Sequence, residues 1–128
     1  MKNKKQKLRI EADNLFKQVV LLKNNGRCEV CGSDWNTTAH HFFPRSLAGY
    51  LHYYLPNGVA LCRGCHFAHH TKSDPRIHEA IIRQRGQKWF DHLKEKKEEK
   101  HFSFKTIEWY VNNIKQLQNY ASDFDINR

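Results

Sequence analysis

CEVCGSDWNTTAHHFFPRSLAGYLHYYLPNGVALCRGCHFAHH, residues 28–70, is the stretch on which the reading of this chain turns. Its four cysteines stand as two pairs, Cys28/Cys31 and Cys62/Cys65, and between and just after them lie His40, His41, Asn57, His66, His69 and His70. A C-x-x-C knuckle lets one short turn present two sulfurs to the same ion, and four thiolates close a tetrahedral zinc site. A catalytic site instead keeps one position open for water or substrate. The stretch thus supplies residues for two centres, structural zinc on the four thiolates and an open site built from imidazoles.

The cysteines admit other readings. The gap from Cys31 to Cys62 exceeds the about 15–20 residues usual in zinc ribbons, so a further element is inserted between the knuckles. Cys62-Arg63-Gly64-Cys65-His66 also matches the haem-attachment pattern C-x-x-C-H. That reading requires export and leaves Cys28 and Cys31 without a role. A thioredoxin-like redox pair would want a βαβ context, which the pattern lacks. Zinc is the reading that uses all four.

The histidines divide by spacing. His66 and His70, at i and i+4 on a helix, share one face and can share an ion, with His69 at i+3 the competing second ligand. His40 and His41 are adjacent, and on a strand adjacent side chains point to opposite faces. One can ligate while the other faces a substrate as a general base. His52, His78, His92 and His101 read as ordinary surface or hydrogen-bonded core residues.

Outward from this stretch, composition sets the bounds. The chain has 128 residues, with 22 Lys and Arg against 13 Asp and Glu, a net charge of +9 and a pI near 9.5. One domain is expected, small enough to profit from a metal staple. The charge suits a polyanionic partner through counterion release, although solubilising charge alone would look the same. Basic residues crowd Met1–Arg9, but no apolar run of the roughly 7–15 residues of a secretory signal follows. No segment approaches the about 20 apolar residues of a membrane span. The expectation is a soluble, intracellular protein with no membrane partner, its thiols reduced and therefore metal-bound before disulfide-bonded.

The pattern of elements is α–(metal module)–α. Leu8, Ala12, Leu15, Val19 and Leu22 recur at helical steps, and Asn24-Asn25-Gly26 ends that helix. Thr37–His41 and Gly58–Leu61 read as short strands, with the long loop Phe42–Pro56 between them carrying a short helix. A helix is expected from near Gly64 to Thr71. Ser73-Asp74-Pro75 caps the next, whose apolar residues Ile77, Ile81, Trp89, Phe90 and Leu93 are interrupted at Gly86. Lys94–Lys100 is a solvated charge run, and Ser103–Tyr120 a further long helix. The fold class is small α+β, a single domain 1–128 made of a basic helix 1–26, a zinc-stapled core 27–72 and helices over 73–128.

With these residues in order, Cys28-x-x-Cys31, His40-His41, Asn57, Leu61-Cys62-x-x-Cys65-His66 and His70 resemble the HNH endonucleases of the His-Me finger, or ββα-metal, fold in their four-cysteine zinc branch. The resemblance spans about Arg27 to Thr71. It implies that His41 is the general base, that His40, His66 and His70 hold one catalytic divalent ion, and that Asn57 constrains the loop and helps orient the base. An all-histidine ligand set is similar to the bacterial toxin members and departs from those with aspartate first. Neutral imidazoles suit zinc, nickel or cobalt better than magnesium, so Mg2+, Mn2+, Ni2+ and Zn2+ all stand as candidates. Arg45-Ser46, Tyr53, Asn57 and Gly86–Leu93 add a weaker similarity to phage recombination nucleases of the NinG and Rap type, which act on branched DNA. The implied partner is DNA and the implied setting the cytoplasm of a bacterial or phage-infected host cell.

The chemistry expected is phosphodiester hydrolysis. A neutral His41 takes the water proton, its other ring nitrogen held by a backbone carbonyl or by the Asn57 side-chain oxygen. By resemblance the products carry 5′-phosphate and 3′-hydroxyl. Arg45 and Arg63 are near enough in sequence to clamp phosphate. Phe42, Phe43, Tyr50, Tyr53 and Tyr54 either stack on bases or build the core of their loop. A homodimer would suit double-strand cleavage. The alternative function is a non-catalytic zinc-stabilised nucleic-acid-binding module, which would have no use for His41 beside a ligand.

Overall fold

The computed structural model describes residues 1–71, 75–99 and 104–126, without the side chains of 70, 71, 125 and 126. The Ser73-Asp74 cap, Lys100, His101 and the expected helix start at Ser103 lie outside the described residues.

Helix α1, Lys4–Lys23, opens with a capping box: the Gln6 N–H donates to Asn3 Oδ1 and the Asn3 N–H to Gln6 Oε1, both at 2.9 Å. Two orphan donors of the first turn are thereby satisfied. Asn25 and Gly26, both at positive φ, close its other end, where the Gly26 N–H returns to Leu21 O. Its buried face is Ala12, Phe16, Val19 and Val20, with Leu8, Leu15 and Leu21 on its margins. The apolar stripe is therefore rotated towards Phe16 and Val20 relative to the Leu8–Leu15–Leu22 line of the sequence pattern.

Strands β1, Thr37–His41, and β2, Gly58–Cys62, pair antiparallel, with Thr37 opposite Cys62 and His41 opposite Gly58. Alternation along β2 explains why its first four residues are all buried. Ala60 belongs to a core with α1 and helix α6, Ile107–Ile126, through Phe16, Tyr110, Ile114 and Leu117. Val59 and Leu61 belong to a second core with Phe42, Leu51, Ile81 and Leu93. That second core is closed by α4, Pro75–Arg85, and α5, Gln87–Glu98, joined at Gly86 with φ 101. The sheet is thus covered by helices on both faces.

Gly58 shows how closely α1 approaches. A Cβ there would lie 2.5 Å from Val20 Cγ2 and 2.9 Å from Phe16 Cζ, so only glycine admits the helix at this height.

The loop between the strands holds the short helix α2, Arg45–Ala48, and two 3-10 turns, Gly49–Leu51 and Leu55–Asn57. After β2 the chain enters α3, Arg63–His66, which widens into a π-helical turn over Phe67–Thr71. Helix α6 begins later than the sequence pattern suggests. The Thr106 hydroxyl accepts the Trp109 N–H at 3.1 Å, so the cap is threonine rather than a residue near Ser103, and no glycine or proline halts the helix before Ile126. No helix among the described residues is long and apolar enough to cross a membrane.

Candidate functional site

Two centres flank β2. At its C-terminal end the sulfurs of Cys28, Cys31, Cys62 and Cys65 all lie within 4.8 Å of one another, and none is in a disulfide. Sulfurs at about 2.3 Å from a tetrahedral ion stand about 3.8 Å apart, so the cluster matches a four-thiolate zinc site. The first knuckle is held by Gly32 at φ 77, with its N–H on Cys28 O at 2.9 Å and the Cys28 N–H on Ser33 O at 2.8 Å. The Glu29 N–H donates to Ala60 O at 2.9 Å, fastening that knuckle to β2, whose last residue, Cys62, starts the second. The Cys65 backbone N–H is the main influence that pulls the Cys62 thiol down to about 7, readying it as a thiolate. Burial and the neighbouring cysteines push Cys65 the other way.

The second centre is a shallow pocket of about 330 Å3 lined by His40, His41, Pro44, Arg45 and His66. The imidazoles of His40 and His66 stack with centroids 3.6 Å apart and planes 12° from parallel. Burial lowers the pKa of His66, favouring its neutral ring. Thr38 Oγ1 lies 2.6 Å from His40 Nε2. The pair can contribute two ligands to one centre. Among the described residues, the four cysteines are the group of three or more potential ligands close enough to share an ion. The side chain of His70, third ligand by resemblance, lies outside the described residues. His69, its alternative, packs against Phe42 at 5.7 Å and His78 at 5.9 Å.

His41 is layered between two rings, Phe16 at 4.8 Å and 3° on one side and His52 at 4.2 Å and 15° on the other. Its Nε2 lies 2.8 Å from His52 O. A carbonyl can only accept, so Nε2 carries the hydrogen and the basic lone pair of the neutral ring is on Nδ1. Of the two acceptors considered for this ring, the backbone carbonyl is the one present. Asn57 has a different task. It is fully buried; its Oδ1 accepts the Phe43 N–H at 2.8 Å, and its Nδ2 donates to Phe43 O at 3.1 Å and Leu51 O at 3.3 Å. Asn57 thereby ties the chain just after His41 to the chain just before His52 and acts on His41 only through the loop.

Arg45 lines the pocket, whereas Arg63 is an exposed residue of the first turn of α3. Phe42, Phe43 and Tyr53 are core residues of their loop and not a stacking surface. The residues that sequence reasoning missed are His52 and, beyond it, Asp13. His52 Nε2 lies 3.7 Å from Asp13 Oδ1, and the Tyr53 hydroxyl donates to the same oxygen at 2.5 Å. Burial works against ionisation of Asp13, but His52, Tyr53 and Arg9 outweigh it and hold the carboxyl below its usual range. Burial and then Asp13 raise the Tyr53 hydroxyl. Spacing carried no sign of this row, because the acceptor for His41 is a main-chain atom and Asp13 comes from α1.

Compared with known proteins, the chain matches no family model, no curated protein and no solved structure.

Proposed function

We propose that this chain is a metal-dependent HNH endonuclease that hydrolyses DNA phosphodiester bonds. The observation that carries the reading is the pocket that joins His40, His41, Arg45 and His66, with His41 bonded through Nε2 to His52 O. The strand–strand–helix order of β1, β2 and α3 and the four-cysteine cluster agree with the zinc-bearing ββα-metal fold. Branched recombination DNA is the substrate that the weaker sequence similarity favours.

In this reading His41 Nδ1 takes the proton of the attacking water, the ring held in one tautomer and one plane by His52 O, Phe16 and the His52 ring. Arg45 sets a guanidinium against the phosphate from the same pocket. His40, His66 and His70 would hold the divalent ion, which when bound supplies positive charge to the scissile phosphate and the departing 3′-oxygen.

Supercoiled plasmid incubated with the zinc-loaded protein and Mg2+, Mn2+, Ni2+ or Zn2+ tests this. Cleavage is expected with at least one ion. His41→Ala should lose about 10²–10⁴ in rate while zinc content, fold and DNA affinity persist. His40→Ala and His66→Ala should lose activity that excess metal partly restores. Equal cutting by His41→Ala, or none by the wild type with any ion, overturns the proposal. DNA bound but never cut would make the chain a zinc-stabilised binding module.

A further inference from the structure

Arg45 has a second role to fill, because it also lines a separate cavity of about 300 Å3 between the finger and the terminal helices. Arg9 from α1 and Lys105 from the turn before α6 enter the same cavity. Three exposed cations from three distant parts of the chain thus share this lining with one carboxylate, Asp13, which already accepts from Tyr53. Three cations against one carboxylate leave the lining with an excess of positive charge, which favours an anionic ligand. Lys105 is held at φ 64, a left-handed conformation that a lysine adopts at an energetic cost and that is concentrated at ligand clamps. Trp109 and Tyr110 supply aromatic wall beside the cations.

The cavity is continuous in its residues with the imidazole pocket. Arg45 lines both, and His52 lines this one while stacking on His41 of the other. An extended anion that crosses Arg45 would engage both at once.

We propose that this cavity seats the phosphate next to the scissile one in the bound DNA strand, with Arg9, Arg45 and Lys105 around the phosphate and the attached sugar and base against Trp109. The adjacency to a scissile phosphate rests on the nuclease reading above; the anion site does not. Its consequence is register, since a nucleotide seated here fixes which phosphate faces His41.

The test is affinity for a short labelled DNA duplex with a single-stranded overhang, measured over a range of salt with full-length zinc-loaded protein in a His41→Ala background. Arg9→Gln and Lys105→Gln should each weaken binding several-fold and reduce the salt slope by about one. Lys105→Gly should do the same, and because glycine accepts the left-handed turn its loss of affinity cannot be put down to misfolding. Lys115→Gln, an exposed cation on α6 outside the cavity, supplies the control for charge alone. Pocket variants indistinguishable from Lys115→Gln overturn the proposal. Reduced slopes in a protein that never cuts plasmid would keep the anion site and sink the nuclease reading. Normal cutting with unchanged slopes would sink the site alone.

Discussion

Asn57 gives its whole side chain to the loop, so its weight falls on the fold. Replacing it by alanine leaves the Phe43 N–H and Phe43 O short of partners in the interior, while Leu51 O keeps the Tyr54 N–H at 3.1 Å. Each orphaned group costs about 1–3 kcal/mol, so Asn57→Ala should lose at least about 2 kcal/mol in urea unfolding. His78 gives a second residue-scale expectation. Burial keeps its pKa below the ordinary 6.5, with Glu79 opposing. As pH falls through about 6.5 the unfolded chain takes up a proton that the folded one resists, so stability must drop. The decline continues until the folded pKa is passed. Urea midpoints for wild type and His78→Gln between about pH 8 and 5 should show the slope reduced in the variant. At this scale the sequence was most legible where identity alone carries chemistry. Cys28, Cys31, Cys62 and Cys65 announce their cluster, while His40, His41 and His66 line one pocket. His52 read as an ordinary histidine because its decisive atom is a carbonyl oxygen, which every residue has.

Among elements, β2 matters most, since it touches both centres: Gly58 stands opposite His41 at one end and Cys62 is a zinc-cluster cysteine at the other. Arg85 of α4 fixes its start, with Nη2 donating to Gly58 O at 2.7 Å and Nη1 to Pro56 O at 3.0 Å while Nε reaches Glu29 Oε1 at 3.2 Å. Trp89 Nε1 donates to Pro56 O at 2.9 Å, and the guanidinium lies 4.9 Å above the Trp89 ring. Both ends of the Arg85–Glu29 pair are about nine-tenths buried, so Arg85→Ala strands a charge and should cost about 3–5 kcal/mol, read as a shift in the urea midpoint. The four-cysteine cluster lies at the other end of the same strand. Purified protein should hold one zinc per chain, and a thiol reagent should find its four cysteines protected until a chelator strips the ion, when the melting temperature should fall and zinc should restore it. Element positions were legible because turn signals lead into both strands, Gly32 ahead of β1 and Asn57-Gly58 at the start of β2. The start of α6 was not, since Thr106 gives no stronger sign in sequence than Ser103.

Over the whole molecule, net charge +9 should make DNA affinity fall steeply with salt, and a flat dependence between about 50 and 200 mM would show the basic residues to be merely solubilising. Helices at both ends were expected; that α1 and α6 would pack together over one face of the sheet was not, because pairing between Phe16 of α1 and Ile114 of α6 leaves no trace in local periodicity. Phe16 also stacks on His41, and the pair Phe16 and Val20 fills the space above Gly58. The division of the chain into a basic helix, a zinc-stapled core and trailing helices therefore does not mark modules that can be cut apart. A graft of residues 27–72 into another scaffold would import the thiolates and the imidazoles yet leave His41 with one bare face and the strand with an open seam. Such a transplant should bind zinc and, on the proposed nuclease reading, fail to cleave; the smallest transferable unit must bring its own α1.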